Sequence, residues 1–230
     1  YINQELYTMF NHIITDLQKL PRKNVDGKRV YETPDGHHYP SVTTITGQMS
    51  KDAIVAWRKR VGDEVANKIT KQATTRGTSV HKLCEDYCLN LDMEDKVMPT
   101  NKEMFMSIKS ELDAKVDNIR SVEGFLYSNY LRTAGQVDLV ADYNDKLSII
   151  DFKTSKKRKP ESWIQNYFIQ AAAYSFMFEE RTNIKVPQLV IIIGVDGESE
   201  PQVFTKNAKE RNEYLLKFLD LRAQFDNVSL

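Results

Sequence analysis

Two acidic segments lie close together in the centre of the chain, and they carry residue types suited to metal-dependent chemistry. The first is residues 135–138 (Gly-Gln-Val-Asp), and the second, twelve residues later, is residues 151–155 (Asp-Phe-Lys-Thr-Ser). Between them, two apolar runs flank Asn144 and Asp145, which tolerate the left-handed backbone of a two-residue hairpin turn. The pattern predicts two antiparallel strands with acidic residues away from the turn.

The register of this hairpin would place Asp138 opposite Asp151. With Asn144 and Asp145 as the turn, Tyr143 pairs with Lys146, and counting outward aligns the two aspartates with β-carbons about 5 Å apart. Lys153 shares their face because side chains alternate along a strand, while Ile150 and Phe152 point toward a core. Facing carboxylates need neutralisation, and two interpretations stay open. One is an ion-pair ladder with the lysine, and the other is a bound Mg²⁺ or Mn²⁺ ion, for which carboxylate oxygens are suitable ligands.

Composition indicates an ordinary globular chain. Its 230 residues are 41% hydrophobic and 28% charged, with a net charge of zero, and no apolar run approaches the ~20 residues of a membrane span. We therefore predict no membrane partner. The chain starts at Tyr1 rather than Met, which is compatible with a removed targeting segment. Cys84 and Cys88, one helical turn apart, are expected to be small core residues in a reducing compartment.

The order of the predicted elements is that of an α/β protein with a mixed sheet flanked by helices, with four strands or slightly more. We expect residues 1–38 to form an N-terminal helix and hairpin extension, and residues 39–230 to form the main domain with a helical insertion at about 50–120. In chain order, the predicted elements are a helix at 2–20, a hairpin at 29–39, a helix at 50–61, a second helical run after Gly62, helices at 78–91 and 101–120, three strands within 122–154, a helix at 161–180, a strand at 188–195 and a helix at 207–225.

Two helices carry further polar residues. His81 and Glu85 share one helical face. They are a surface pair, two further metal ligands, or residues that orient the metal ligands. Gln170 interrupts a stripe of aromatic residues that contains Tyr167 and Tyr174. A buried amide needs hydrogen-bond partners, which the acidic strands would supply. The basic run at 156–159 follows directly, where a phosphate backbone would pass.

Taken together, these residues resemble the PD-(D/E)xK nuclease superfamily. Asp138 followed by Asp151-Phe152-Lys153 resembles its signature, and the upstream His81 with the downstream Gln-x-x-x-Tyr resembles its RecB-like branch. Within that branch the chain is similar to the mitochondrial genome maintenance exonucleases and their phage-encoded relatives. The carriers of this similarity, over about residues 39–196, are residues 39–43, residues 76–78 with His81, and residues 149–156.

The resemblance implies hydrolysis of DNA phosphodiester bonds with one or two Mg²⁺ or Mn²⁺ ions. His81, Asp138, Asp151 and the carbonyl of Phe152 would hold the metal, and Lys153 would position or activate the attacking water. Gln170 and Tyr174 would orient Lys153 and the substrate, with Glu85 in an outer position. No iron–sulfur cluster is expected, because members that hold one carry four cysteines and this chain has two. DNA contacts are expected from Arg76, Thr154, Ser155, Lys156, Lys157, Arg158, Lys159 and Tyr167.

These observations support one leading hypothesis and two alternatives. The leading one is a monomeric exonuclease that degrades single-stranded DNA from a free end, in DNA repair, recombination or phage DNA turnover. We expect it inside a cell, in the host cytoplasm if it is phage-encoded and in the mitochondrion if it is a processed eukaryotic protein. The alternatives are an endonuclease of the same fold that cuts a structured or specific duplex, and a non-catalytic DNA-binding module.

Overall fold

The protein is described by a computed structural model that covers residues 10–13, 15–25, 28–92 and 97–228, with the backbone alone at 28, 29 and 228. Its first elements are a small antiparallel sheet of strands β1 (Arg22–Val25), β2 (Lys28–Glu32) and β3 (His38–Pro40). Pairing of Tyr31 with Tyr39 sets the register of the β2–β3 hairpin. The hairpin predicted at 29–39 is therefore confirmed.

The central sheet has five strands in the spatial order of the chain. They are β4 (Val116–Ser128), β5 (Thr133–Tyr143), β6 (Lys146–Ser155), β7 (Gln188–Val195) and β8 (Gln202–Lys206). Strands β6 and β7 are parallel, and the other neighbours are antiparallel. This confirms the mixed sheet predicted from the sequence, and it adds β8, which the sequence analysis did not identify.

Helices cover both faces of the sheet and build two hydrophobic cores. Helices α3 (Asp63–Cys88) and α4 (Pro99–Lys115) pack on one face, where Ile150 and Phe152 lie buried. Helices α5 (Gln165–Thr182) and α6 (Ala208–Val228) cover the other face. Because side chains alternate along β6, its residues feed both cores in turn.

Two short helical elements connect the sheets to these layers. In α1 (Val42–Thr46), the hydroxyl of Ser41 accepts a hydrogen bond from the N–H of Thr44, and this N-cap lets Val42 enter the core beneath α5. Helix α2 (Lys51–Val61) contains no buried residue. Gly62, with a φ of 83°, separates α2 from α3 because its backbone is left-handed.

Three predictions of helix extent were wrong. The helical run predicted after Gly62 and the helix predicted from about residue 78 are one helix, α3, which begins at Asp63, since a single glycine, Gly77, weakens a helix by only about 1 kcal/mol and does not end it. Helix α4 ends at Lys115 rather than Arg120, because the residues that follow it pair with β5 as a strand. At the N-terminus, residues 10–13 and 15–20 are not helical.

The N-terminal segment instead lies along the irregular part of β4. The N–H of Ile13 donates to the carbonyl of Ile119 at 2.8 Å, and the N–H of Ile119 donates to the carbonyl of Asn11 at the same distance. Backbone pairing with the sheet edge therefore overrides the helical period of this segment. The remainder of the helix predicted at 2–20 lies outside the described residues.

Cys84 and Cys88 are buried free thiols, as expected of core residues. No helix within the described ranges combines the length and apolarity that a membrane crossing requires.

Candidate active site

The acidic hairpin ends in a fork between β5 and β6. Tyr143 pairs with Lys146, as the sequence predicted, and the ladder runs to the pair Leu139–Ile150. Beyond this pair, the N–H of Phe152 donates to Oδ2 of Asp138 at 2.8 Å, so a side chain takes the place of a backbone partner. Beyond the last pair, β5 and β6 separate and leave a gap between them. The carbonyl of Phe152 points into this gap, because the N–H and C=O of a strand residue point to one side.

Asp151 and Lys153 form a buried ion pair at this fork. Lys153 Nζ lies 2.5 Å from Asp151 Oδ2, and the Asp151 residue is only 2% exposed. Burial raises the pKa of Asp151 to about 6, with a contribution from Asp138, although the ammonium of Lys153 opposes the rise. Burial would lower the pKa of Lys153, but the carboxylates of Asp151 and Asp138 raise it above its usual value. In the absence of a metal, Lys153 is therefore a cation.

His81 reaches the fork from α3. Its Nδ1 atom lies 3.6 Å from Asp138 Oδ2, and its ring meets the ring of Phe152 edge-on at a centroid distance of 6.3 Å. Glu85, predicted to assist His81, forms an ion pair with Lys82 at 3.3 Å. The structure thus brings His81 to the acidic strands and places Glu85 with a different partner.

Glu123 on β4 also lies at this centre, and the sequence analysis missed it. One donor atom from each of Glu123, His81 and Asp138 lies within 4.8 Å of the other two. Burial raises the pKa of Glu123 to about 8, and the nearby Asp138 and Glu85 raise it further. In the sequence, Glu123 is visible only as a single acidic residue within the apolar run at 122–126. Its place beside Asp138 could not be predicted without the pairing of β4 with β5.

Tyr174 and Gln170, predicted to act on Lys153, are both buried on α5. Burial raises the pKa of Tyr174 well above its usual value, and Asp138 and Asp151 add to the rise, whereas a hydrogen bond with Gln170 opposes it. The tyrosine hydroxyl therefore stays protonated. The aromatic ring next to Lys153 is that of Tyr167, with Nζ 5.0 Å from its centroid.

Of the predicted DNA-binding residues after β6, two have free side chains in the described part of the chain and two have side-chain partners. Lys156 and Lys157 are exposed, and within the described part of the chain they make no ion pair. Arg158 instead forms an ion pair with Glu198. Lys159 Nζ donates to the hydroxyl of Tyr167 at 3.0 Å.

Two polar residues of β6 turn inward or toward α3. Ser155 is buried, and its hydroxyl donates to the carbonyl of Lys157, so it shapes the loop that carries the lysines. The hydroxyl of Thr154 accepts a long hydrogen bond, 3.4 Å, from Nε of Arg76 on α3. The contact joins two of the predicted DNA-binding residues across the helix and the strand.

The donor set suits a divalent cation. Asp151 Oδ2 is buried and makes no hydrogen bond, although the ammonium of Lys153 lies close to it. Asp138 and the Phe152 carbonyl face the same gap, and His81 approaches it from above the strands. Carboxylate and carbonyl oxygens with one imidazole are ligands that Mg²⁺ and, better, Mn²⁺ accept.

Comparison with known proteins gives one family. A sequence model of the PD-(D/E)XK nuclease superfamily matches residues 57–228. The protein named mitochondrial genome maintenance exonuclease 1 from Xenopus tropicalis is 32% identical over 146 residues, which are 59% of this chain and 42% of that protein. Its Homo sapiens namesake is 25% identical over 194 residues, which are 78% of this chain and 56% of that protein. The chain thus spans about half the length of these relatives.

Among solved structures, one from Eubacterium rectale that is described as a candidate exonuclease covers 66% of this chain and 68% of its own. The TM-score is 0.40 and the sequence identity is 13%, so this likeness supports no inference by itself.

Proposed function

The chain belongs to the PD-(D/E)XK nuclease superfamily, and from this membership we propose that it is a metal-dependent exonuclease that hydrolyses single-stranded DNA from a free end. The observation that carries the proposal is the fork between β5 and β6. There, His81 Nδ1 lies 3.6 Å from Asp138 Oδ2, and the half-buried Lys153 forms an ion pair with the buried Asp151. An ion pair with a buried carboxylate contributes little to stability by itself, so its presence at the fork favours a chemical role.

The residues at the fork would have two roles, metal binding and positioning of the attacking water. His81, Asp138, Asp151 and the carbonyl of Phe152 would hold the cation, which when bound polarises the phosphate and lowers the pKa of a water molecule. Lys153 would hold the attacking water and balance the negative charge that develops on the phosphate oxygens. The N–H of Phe152 keeps Asp138 turned toward the gap.

Tyr174 and Gln170 would support the metal ligands and Lys153 without contacting the cation. Their side chains are buried and joined by a hydrogen bond, so they offer a rigid support for the strands rather than a solvent-facing surface. Tyr167 packs its ring on Lys153, and Lys159 bonds its hydroxyl. We propose that Tyr167 limits the positions open to the Lys153 ammonium.

Two surfaces beside the fork would guide DNA. Lys156 and Lys157 are exposed and without ion pairs in the described chain, so their charges are available to phosphates. Helix α2 and the first half of α3 project from the body, since α2 has no buried residue and the 63–79 half of α3 buries only Ala66. A projecting helical pair next to the fork supports the preference for one flexible strand with an end over a rigid duplex.

The names of the relatives support a role in DNA maintenance. We extend this role to the chain, acting as a monomer, in the mitochondrion if it is a processed eukaryotic protein and in the host cytoplasm if it is phage-encoded.

The test is digestion of end-labelled linear single-stranded DNA with Mg²⁺, beside a circular strand of the same length. We expect loss of the linear strand alone, no loss in EDTA, and no cleavage by Lys153→Ala. The matched control is Lys146→Ala, which removes an exposed lysine from the turn end of the same strand and should cleave at the wild-type rate. Circular dichroism verifies that both variants are folded.

Three other outcomes would change the assignment. Cutting of the circle at a similar rate would indicate the endonuclease. Tight strand binding without turnover in Mg²⁺ or Mn²⁺ would indicate a binding module. Undiminished cleavage by folded Lys153→Ala would remove the chemistry from this fork.

A further inference from the structure

A carboxylate outside the family signature lies at the metal centre. We propose that Glu123 is a further protein ligand of the divalent cation, together with His81 and Asp138. This inference rests on the proposed function and adds a residue to its site. The donor atoms of the three side chains lie within 4.8 Å of one another. Metal–oxygen bonds of about 2.1 Å bring donors to within about 4 Å, so small side-chain rotations would complete the site.

Strand pairing places Glu123 level with Asp138. The pairs Val122–Leu139 and Gly124–Val137 lie on either side of it in the β4–β5 ladder. Glu123 itself has a φ of 50°, a left-handed backbone that is uncommon for a residue with a side chain. The strand thus departs from regular geometry at the residue that brings its carboxylate near His81.

Gln136 braces this irregular backbone from the neighbouring strand. Its Nε2 atom donates to the carbonyl of Glu123 at 3.0 Å, and its Oε1 atom accepts from Arg22 at 2.8 Å. The guanidinium of Arg22 lies over the ring of Tyr31, 5.4 Å from its centroid. Gln136 adjoins the Val137–Asp138 pair, so one short segment supplies both a ligand and the support for a second ligand.

The chain provides no direct partner for the Glu123 carboxylate. Among the described residues, it makes no hydrogen bond and no ion pair. Two basic side chains act on it from a distance, and both are engaged elsewhere: Arg22 with Gln136, and Lys82 with Glu85 and Asp86. The Glu123 carboxyl group is therefore available to a bound cation.

A further buried carboxylate lies at the same centre. Asp151 is 2% exposed, and its Oδ2 atom has the ammonium of Lys153, at 2.5 Å, as its ion-pair partner. Combined with Glu123, the site would offer three carboxylates and one imidazole. That set favours Mn²⁺ over Mg²⁺, because imidazole binds first-row transition metals better than it binds Mg²⁺.

The test measures Mn²⁺ binding to the full chain without DNA, from the electron paramagnetic resonance signal of free Mn²⁺. We expect Glu123→Gln, which keeps the shape and removes the charge, to raise the Mn²⁺ dissociation constant at least tenfold. Glu64→Gln is the matched control, since it removes the negative charge of an exposed glutamate in the first turn of α3, away from the fork. We expect it to leave the dissociation constant unchanged.

A second measurement separates a ligand from a structural residue. In EDTA, Glu123→Gln should melt no lower than the wild type, because the side chain loses no hydrogen bond and no ion pair. A lower melting temperature in EDTA, or an unchanged Mn²⁺ affinity, would overturn the ligand role. If the wild type still cleaves linear DNA in that case, the nuclease function stands. A wild type that neither binds Mn²⁺ nor cleaves DNA rejects both.

Discussion

The ring of Tyr174 lies directly against the backbone of Gly135, three residues before Asp138. A β-carbon at Gly135 would stand 2.8 Å from both Cε1 and the hydroxyl oxygen of Tyr174, closer than such atoms approach in proteins. The first residue of the acidic segment is therefore a glycine because helix α5 places a buried aromatic ring there.

Gly135→Ala should consequently destabilise the protein by about 1–3 kcal/mol, because the ring or the strand must shift. The shift would also disturb Asp138, so nuclease activity should fall. Gly47→Ala is the control, since a β-carbon there meets nothing within 4 Å. Urea unfolding checks both variants, and equal midpoints would show that the ring yields without strain.

Asp138 has a structural task in addition to any metal contact, because it accepts the hydrogen bond of the Phe152 N–H at 2.8 Å. Asp138→Asn keeps an acceptor oxygen, whereas Asp138→Ala leaves the N–H unpaired. In EDTA we expect the alanine variant to be about 1–3 kcal/mol less stable than the asparagine variant. Neither should cleave DNA. Equal denaturation curves for the two would show that the hydrogen bond contributes nothing to the fork.

Removing Lys153 alone should leave the buried charge of Asp151 uncompensated. We expect Lys153→Met to lose about 3–5 kcal/mol of stability at pH 8, and the double variant Asp151→Asn, Lys153→Met to recover most of it. The double variant should remain inactive, which separates a lost chemical group from a lost fold. Guanidinium denaturation measures the stabilities. If Lys153→Met is as stable as the wild type, Asp151 takes up a proton at little cost in free energy.

The exposed lysines after β6 should contribute to DNA affinity through phosphate contacts. Log affinity falls as log salt concentration rises. Replacing both Lys156 and Lys157 by alanine should make this fall shallower by about 1.4 on single strands, about 0.7 for each lost contact. Arg158→Ala, whose guanidinium already pairs with Glu198, should change the slope much less. Fluorescence anisotropy in EDTA at several salt concentrations measures these slopes. A larger effect for Arg158 would place the DNA on the other side of the loop.

The stability of the cation-free protein should depend on pH through Glu123 and Asp151. Their pKa values rise on folding, from 4.5 to about 8 and from 3.8 to about 6. Between these limits the folded chain holds more protons than the unfolded chain, so the free energy of unfolding falls as pH rises. In EDTA, the wild type should therefore lose stability relative to Glu123→Gln between about pH 5 and 8. Mn²⁺ at pH 8 should reverse the loss, and a constant difference would contradict the raised pKa.

The acidic hairpin could be predicted from the sequence because its determinants are local. Alternation along a strand and a two-residue turn are set by neighbours in the chain, so the pairing from Tyr143–Lys146 to Leu139–Ile150 followed from counting. The predicted pairing of Asp138 with Asp151 lies one step beyond the end of this ladder, where the Asp138 side chain bonds to the Phe152 N–H instead. The order of helices and strands likewise follows from periodic patterns, and it was enough to predict the mixed sheet. The superfamily was recognised from the resemblance of the motif residues around Asp138, Asp151 and His81.

The remaining members of the site depend on contacts between distant segments. The imidazole of His81 lies next to Asp138 only because α3 packs against the sheet, and Glu85 on the same helix pairs with Lys82 instead. Glu123 joins them through the pairing of β4 with β5 and a left-handed backbone that Gln136 supports. Sequence periodicity reports which face of an element is apolar, but it does not report how far one element slides or turns against another. The sequence alone therefore determined the acidic strands and their lysine, and the packing of α3 and β4 against them decided which other side chains complete the centre.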